Sequence, residues 1–440
     1  MAKEASVVPW TLPLLGKPLP RLRAMKRSDA ATPAPAGAFT PSRAQKASRV
    51  YRCRCGQRIF FDNSLCLACG TPLGYEPERT QVFPLEQSRN GVGWNLVGPA
   101  GEGNRVFNRC LNFQAIASCN WLVDSEAPGE EHRRLCRSCR LTRTIPDLSI
   151  AENGHWWAQI EAAKRRLVSS LIAMGLPLES LSEEPSAGLA FDFIRGVPGG
   201  PRVMTGHDDG VITLNIEEAD DARRESIRAS MHERYRTLLG HLRHEVGHYY
   251  WQRLVEGTAW HQPYRQLFGD EREDYSDALH RHYRSGPAAN WALRHVSSYA
   301  SAHSWEDWAE TWAHYLHMVD TLDTALSFGV DAGALQDEVD LYTTEHLYGQ
   351  GDPAGAEFVS FVNAWVALTG VLNELSRSMG QPDFYPLVLP AAAVTKLHFI
   401  HLVVADSVGN RSAISNHTLR EATGVIEPGR RKAIRRRRAG

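Results

Sequence analysis

The spacing of apolar residues divides this chain into two parts. From about residue 150 onward, beginning with NGHWWAQIEAAKRRLVSSLIAMG, apolar residues recur every three or four positions, as is typical of amphipathic helices. Residues 188–216 are an exception. There GLAFDFI and GVITLNI are short, alternating or β-branched, and a turn-rich stretch separates them. We therefore predict a mainly helical domain over residues 148–425 that contains a small sheet.

The helical periodicity is absent from the first part of the chain. Residues 1–48 are rich in Ala, Pro, Ser and basic residues, which predicts a disordered leader. Residues 49–147 hold all 8 cysteines and are predicted to fold around metal rather than a large apolar core. The basic run RRKAIRRRR lies at the other end, and residues 426–440 are predicted to form a disordered tail. The predicted fold class is α+β.

The overall charge gives no general attraction to anionic partners. The chain has 49 basic and 50 acidic residues and a formal net charge of -1, so no global field recruits nucleic acid or a membrane surface. Its most apolar C-terminal stretch, FYPLVLPAAAVTKLHFIHLVVA, is interrupted by Pro390, Lys396 and two histidines, which favours a buried helix over a membrane span. Without a convincing secretory signal, we expect a cytoplasmic protein and no membrane partner.

The cysteines occur in close pairs, which indicates metal binding in a reducing compartment rather than disulfides. Two pairs supply four thiolates for one tetrahedral zinc ion, so two structural zinc sites are predicted. Gly56 and Gly70 each follow the second cysteine of a pair, where a tight turn needs glycine. A crossed grouping stays open, but the first choice is sequential: Cys53, Cys55, Cys66 and Cys69 in one site, and Cys110, Cys119, Cys136 and Cys139 in the other.

The segment GHLRHEVGHYYWQ contains the pattern His-Glu-x-x-His. Residues four apart share one face of a helix, so His244 and His248 can both reach one metal ion while Glu245 lies beside it. The surrounding SIRASMHERYRTLLGHLRHEVGHYYWQRLVE has no proline and is predicted to form one long helix. Gly247 costs about 1 kcal/mol there relative to alanine, which a close approach of backbone or ligand would explain. The alternative is a polar helix face with surface histidines.

A catalytic zinc site needs a third protein ligand. The metzincin continuation is excluded, because Trp251 and Leu254 stand where that class has glycine and histidine. The later segment SAHSWEDWAETWAHYLHMVD instead carries Glu306 and Glu310 on one helix face. Glu306 can bind the metal while Glu310 accepts a hydrogen bond from a histidine ligand. The alternative is an amphipathic acidic helix without metal.

Two further expectations concern the surroundings of this helix. Ser304 is expected to cap its N-terminus, with Asp307 as the capping-box partner. The acidic segment FGDEREDYSDALHRHYRSG offers Asp270, Asp274 or Asp277 as competing ligands. Its charge pattern favours a solvated loop or helix over the cleft.

The chain resembles a bacterial family of zinc-binding metallopeptidases that have an N-terminal zinc ribbon. The matching stretches are CGQRIFFDNSLCLACGTPLGY, CRSCRLTRTIPDLS, LLGHLRHEVGHYYW, FGDEREDYSDALHRHY and YASAHSWEDWAETWAHYLHMVDTLDTA. The resemblance implies a zincin-like domain after the ribbon. More distantly, the stretch EDWAETWAHYLH is similar to the Glu-x-x-Ala-Glu helix of anthrax lethal factor and other gluzincins. That likeness implies Glu306 as the zinc ligand, Glu310 as its support, and a tyrosine beside the metal, first Tyr299 and second Tyr283.

The leading hypothesis is a zinc-dependent peptidase with one catalytic and two structural Zn2+ ions, acting on a protein or peptide substrate. His244, His248 and Glu306 would hold the catalytic ion. Glu245 would serve as general base for a water molecule, and Tyr299 would donate a hydrogen bond to the developing oxyanion. The GVITLNI strand either presents an open edge to an extended peptide or is an ordinary sheet strand.

Two rival functions stay open. One is a non-catalytic zinc-ribbon adaptor that binds protein or nucleic acid through its ribbons or basic tail. The other is a zinc hydrolase that acts on a non-peptide amide, which the motif cannot distinguish from a peptidase. Three zinc ions per chain, one of them readily removed by a chelator, favour an enzyme, whereas two tightly held ions favour the adaptor.

Overall fold

The computed structural model has an α+β architecture, which confirms the predicted fold class. It describes residues 49–89, 91–98, 105–196, 199–200, 203–230, 237–330, 341–349 and 354–409. The predicted leader (1–48) and basic tail (426–440) lie outside these residues.

The N-terminal part consists of short antiparallel strands. Strands β1 (Val50–Arg52) and β2 (Arg58–Phe60) form a hairpin that precedes a five-stranded sheet. The strands of that sheet are neighbours in chain order, namely β3 (Leu73–Glu76), β4 (Gln81–Gln87), β5 (Trp94–Leu96), β6 (Phe107–Arg109) and β7 (Leu122–Asp124). A short helix, α1 (Glu130–Arg134), follows. This sheet was not predicted, because four of its five strands have only three or four residues, and the seven-residue β4 has a run of buried positions instead of an alternation.

A second, mixed sheet contains the two strands that the sequence predicted. Its members are β8 (Thr142–Thr144), β9 (Ala190–Ile194), β10 (Gly206–Asp208) and β11 (Val211–Asn215), in the spatial order β10-β11-β9-β8. Strands β8 and β11 pair in parallel with β9, and β10 pairs antiparallel with β11. The hypothesis that GVITLNI presents an open edge is therefore wrong, because β11 lies inside the sheet. The edge strand on this side is β10.

Helices form most of the remaining described chain. They are α2 (Ala151–Ala173), α3 (Asp221–Ser230), α4 (Leu238–Leu254), α5 (His261–Phe268), α6 (Tyr275–Ser285), α7 (Trp291–Arg294), α8 (Ser304–Ser327), α9 (Gly355–Ser378) and α10 (Ala391–Ser407). The helix with the His-Glu-x-x-His pattern, α4, is shorter than predicted. Thr237 before it is extended, and its hydroxyl accepts a hydrogen bond from the amide of Gly240 at 2.9 Å. Thr237 is therefore the N-cap of α4, so the single long helix predicted from the sequence is interrupted at this residue.

The start of α8 also differs from the prediction. His303, not Ser304, is the N-cap, and its Nδ1 accepts a hydrogen bond from the Trp305 amide at 3.1 Å. Asp307 does not close a capping box with Ser304. Its buried carboxylate instead binds the ammonium of Lys396 on α10 at 2.5 Å.

Two helices, α4 and α8, pack against each other at Gly247. A Cβ atom at this position would meet Ala309 Cα at 3.0 Å and Trp312 Cβ at 3.2 Å. The Trp308 indole N–H donates a hydrogen bond to the Gly247 carbonyl at 2.9 Å. The expected close backbone approach is thus confirmed, and glycine at 247 permits it.

A buried ion cluster around Asp320 joins four segments of the chain. This carboxylate, 3% exposed, lies 2.7 Å from Arg49 Nη2, 3.0 Å from Arg166 Nε and 2.7 Å from Arg243 Nη2. Arg49 directly precedes β1, Arg166 belongs to α2, Arg243 to α4 and Asp320 to α8. The cluster therefore connects the N-terminal strands to the two helices that meet at Gly247.

The apolar C-terminal stretch forms α10, most of whose apolar side chains are buried, as predicted. Among the described helices, only α9 is long and apolar enough to cross a membrane by length and composition. Half of the apolar stretch of α9 is buried inside the structure, as in a core helix.

Gly247→Ala is expected to lower the free energy of unfolding by about 1–3 kcal/mol, because the new methyl group meets backbone atoms of Ala309. Gly370→Ala is the matched control. Gly370 also lies within a helix, α9, but nothing approaches its added Cβ within 4 Å. Helix propensity should therefore raise its unfolding free energy by about 0.5–1 kcal/mol. Urea denaturation measures both, and equal stabilisation by the two substitutions would contradict the packing described here.

Asp320→Asn is expected to lower the free energy of unfolding by about 3–5 kcal/mol at neutral pH, because the buried Arg49 and Arg243 and the partly exposed Arg166 lose their counter-charge. Burial opposes ionisation of Asp320, but Arg49 and Arg243 outweigh it and hold its pKa well below the usual range. A carboxyl group whose pKa is lower in the folded than in the unfolded protein stabilises the fold. This stabilisation is complete above the pKa of the unfolded protein, about 4, and is lost as the pH falls below that value toward the pKa of the folded protein. The difference between the two proteins should shrink only in that acidic range. A pH-independent difference would argue against the charge.

Candidate metal centres

The eight cysteines form two four-sulfur clusters in the N-terminal part, grouped sequentially. In each cluster the sulfur atoms lie within 4.8 Å of one another. The measured Sγ–Sγ distances include 3.7 Å for Cys53–Cys69 and 3.6 Å for Cys119–Cys136. Zinc–sulfur bonds of about 2.3 Å place tetrahedral sulfurs about 3.8 Å apart, whereas a disulfide bond measures about 2 Å. The spacing fits zinc.

Local turns position these sulfurs. Gly56 and Gly70 adopt positive φ angles of 87° and 69°, and their amides donate to the carbonyls of Cys53 and Cys66. These are the tight turns for which the sequence analysis expected glycine. In the second cluster, the amide of Cys139 donates to Cys136 Sγ at 3.4 Å, as in a zinc knuckle.

The two clusters differ in solvent access. In the first, Cys55 and Cys69 are exposed, whereas all four cysteines of the second are buried. Arg165 on α2 is also buried, and its positive charge interacts with the thiols of Cys119 and Cys139. The second cluster is therefore part of the interior of the protein.

A third candidate centre lies where α4 meets α8, and it unites His244, His248 and Glu306. The Nε2 atoms of the two histidines are 3.2 Å apart. Glu306 Oε2 lies 3.0 Å from His244 Nε2, and Glu306 Oε1 lies 3.5 Å from His248 Nε2. All three side chains are buried. The close helix contact at Gly247 brings Glu306, one turn before Ala309, up to the two histidines.

Glu310 lies directly behind His244. Its Oε1 is 2.7 Å from His244 Nδ1, and its Oε2 accepts a hydrogen bond from the Ser297 hydroxyl at 2.6 Å. A proton on Nδ1 leaves the Nε2 lone pair of His244 free to bind a metal.

The donor set at this centre fits zinc. Two imidazole nitrogens and one carboxylate oxygen form a common catalytic zinc site. Glu306 Oε2 is buried, and its 3.0 Å contact with His244 Nε2 lacks the geometry of a hydrogen bond. A buried, unsatisfied carboxylate oxygen is costly, and a cation at this position would satisfy it.

The pKa shifts of Glu306 and His248 suit a metal, whereas Glu306 and Glu310 outweigh the effect of burial on His244 and raise its pKa, so a bound cation would displace the Nε2 proton of His244. Burial opposes ionisation of Glu306, but the neighbouring His248 and His244 outweigh it, and its pKa falls to about 2. Burial lowers the pKa of His248 and so favours its neutral form. Metal ligands must be deprotonated, which both shifts promote.

Two tyrosines lie at this centre, and only one was a candidate from the sequence. The ring of Tyr299 is partly buried and lies 6.1 Å from the ring of His244. Tyr275, the first residue of α6, donates a hydrogen bond from its hydroxyl to Glu306 Oε1 at 2.7 Å. No spacing rule distinguished it from Tyr283, which is 57% exposed.

The acidic segment before and within α6 does not supply ligands to this centre. Asp270 pairs with Arg272 at 2.7 Å, and Asp274 caps α6 by accepting from the Asp277 amide at 2.8 Å. The three groups above are the metal-binding candidates among the described residues.

Both parts of the chain are similar to known protein families. Residues 153–403 match a family described as "Putative zinc-binding metallo-peptidase", and residues 50–150 match a zinc-ribbon domain. An uncharacterized protein of Mycobacterium tuberculosis (strain ATCC 25618 / H37Rv) is 41% identical over 361 residues, covering 81% of this chain and 96% of that protein. An uncharacterized protein of Mycobacterium bovis matches to the same extent. No solved structure matches the chain significantly.

The match over residues 153–403 spans more than half of the chain, so the chain belongs to this family of zinc-binding metallopeptidases. Its N-terminal part is a zinc-ribbon domain.

Zinc analysis provides a direct check on the three centres. We expect three zinc ions per chain in the wild-type protein and two in His248→Ala, because that substitution removes one of three ligands at the third centre. His155→Ala is the matched control, since His155 is exposed on α2, and it should retain three. Elemental analysis after dialysis measures the ratio. Two zinc ions in the wild type would contradict the third centre.

Proposed function

We propose that this protein is a zinc-dependent peptidase whose catalytic ion is held by His244, His248 and Glu306. One observation carries the proposal: two imidazole nitrogens and a buried carboxylate converge within hydrogen-bond distance, with Glu245 on the same helix. The two cysteine clusters would hold one structural zinc ion each. All eight cysteines are free of disulfides, which supports a reducing, cytoplasmic location.

The bound zinc ion would supply Lewis-acid chemistry by polarising a carbonyl group and lowering the pKa of water. Glu245 would act as the general base. Burial raises the pKa of this carboxyl, but the hydrogen bond from His241 outweighs it, and the net pKa is lowered. Glu245 is therefore ionised at neutral pH. It would accept one proton from the attacking water and deliver that proton to the leaving amine nitrogen.

Tyr299 would donate a hydrogen bond to the carbonyl oxygen as it gains negative charge, while the single hydroxyl proton of Tyr275 stays in its hydrogen bond to Glu306. Burial raises the pKa of both phenols, and the nearby Glu306 carboxylate raises them further. Both hydroxyls therefore keep their protons at neutral pH, as a hydrogen-bond donor requires.

The position of β10 supports a peptide as substrate. This strand lies at one edge of the mixed sheet and packs against α4. The ring of its central residue, His207, lies 6.3 Å from Tyr249 of α4 and 6.4 Å from Trp305 of α8. An extended peptide could add to an edge strand of this kind through backbone hydrogen bonds. A non-peptide amide would gain nothing from such an edge.

The proposal is tested by Glu245→Gln, which keeps the shape of the side chain but removes its basicity. Hydrolysis of fluorescein-labelled casein should fall by about 10²–10⁴-fold, while the zinc content stays at the wild-type value. Glu256→Gln is the matched control, because Glu256 is exposed just beyond α4, and it should change neither quantity. Undiminished casein hydrolysis by Glu245→Gln would refute Glu245 as the general base.

A further inference from the structure

A chain of three polar side chains lies behind the candidate metal centre and ends at Glu245. His241 belongs to α4, one turn before Glu245. Its Nε2 lies 3.1 Å from Glu245 Oε1, and its Nδ1 lies 2.5 Å from Glu218 Oε2. An imidazole can donate from both nitrogens only as an imidazolium, so a carboxylate at each nitrogen indicates a positively charged His241.

Glu218 is itself held by the sheet. It lies in the 3-10 turn Ile216–Ala219 that directly follows β11. The Thr205 hydroxyl donates a hydrogen bond to its Oε1, and Arg224 donates to its backbone carbonyl at 2.8 Å. The Thr205 hydroxyl in turn accepts from the Asn215 amide at 3.1 Å. The support of His241 thus comes from the sheet, outside the helix that carries the metal-binding pattern.

The two carboxylate oxygens of Glu245 have different surroundings. Oε1 faces His241, whereas Oε2 is buried without a hydrogen-bond partner among the described residues. A buried carboxylate needs a compensating charge, which His241 provides from one side only. Glu245 Oε2 is therefore the oxygen that can accept a proton from water.

We propose that Glu218 and His241 are positioning residues that hold the general base by Oε1, so that Oε2 meets the reacting water. The proposal rests on the peptidase function proposed above and adds two residues that no metal-binding motif contains. The water proton is transferred to Glu245 Oε2, and His241 keeps both of its own protons throughout. A purely structural role would instead make Glu218 and His241 a link between the sheet and α4.

Three substitutions separate these roles. His241→Leu removes the donors to both carboxylates. His241→Gln retains an amide N–H that can reach Glu245, and Glu218→Gln retains an oxygen that can accept from His241. We expect kcat for an internally quenched peptide to fall up to about a hundredfold in His241→Leu, the typical effect of a misplaced catalytic group. KM and zinc content should stay near wild-type values. His241→Gln should recover part of the loss, and Glu218→Gln, which removes the negative charge beside His241, should lower kcat by less than His241→Leu; both are expected to stay below the wild type.

Binding of acetohydroxamate gives a readout that does not depend on turnover. This small chelator binds an open zinc position, and its hydroxyl group can donate to a neighbouring carboxylate. Calorimetry should show affinity about tenfold weaker in His241→Leu than in the wild type, the size of one charge-assisted hydrogen bond. In a Glu245→Gln background, His241→Leu should produce no further change, because His241 acts through Glu245. An equal loss in both backgrounds would overturn the positioning role.

The outcomes distinguish this proposal from the peptidase function itself. A wild-type protein that neither hydrolyses peptide nor binds acetohydroxamate would refute both. The positioning role alone fails under two conditions. Glu245→Gln must lower kcat and the affinity for acetohydroxamate, and His241→Leu and Glu218→Gln, both folded and loaded with zinc, must behave as wild type. Should His241→Leu not fold, His241→Gln and Glu218→Gln are measured in the same way. Wild-type kcat and affinity in both would then overturn the proposal.

Discussion

The contact between α4 and α8 at Gly247 is the constraint on which the candidate catalytic centre depends. Because residue 247 has no side chain, the backbone of Ala309 lies against α4. Glu306 then reaches His244 and His248, and Glu310 reaches the other nitrogen of His244. Metal–ligand distances tolerate about 0.2 Å of error, so even a small separation of the two helices would disturb the site.

The Asp320 cluster joins the same two helices through buried charge and connects the zinc ribbon to them. Arg243 stands next to His244 in α4, and Arg49 stands next to the first strand of the ribbon. One continuous apolar core contains side chains from both parts, Tyr51 and Trp308 among them. The ribbon and the helices α4 and α8 therefore share buried charge and buried apolar surface, although their sequences differ in character.

The sequence allowed prediction of features that depend on short spacings. The four-residue spacing predicted that His244 and His248 share one helix face and that Glu306 and Glu310 share another. The close cysteine pairs predicted the two sulfur clusters. Tyr275, the edge position of β10 and the Glu218–His241 contact were not predictable in this way. Each depends on strand order or on chain packing across many residues, about which helical periodicity and local spacing carry no information.

The mixed sheet has a consequence for how this family can change over time. Strand β8 follows the last cysteine of the ribbon and pairs in parallel with β9. A chain that lacked the ribbon and β8 would expose the backbone of β9 as a new edge, open to pairing with other molecules. Exchange of residues 49–147 for another module would therefore also remove a strand of the mixed sheet.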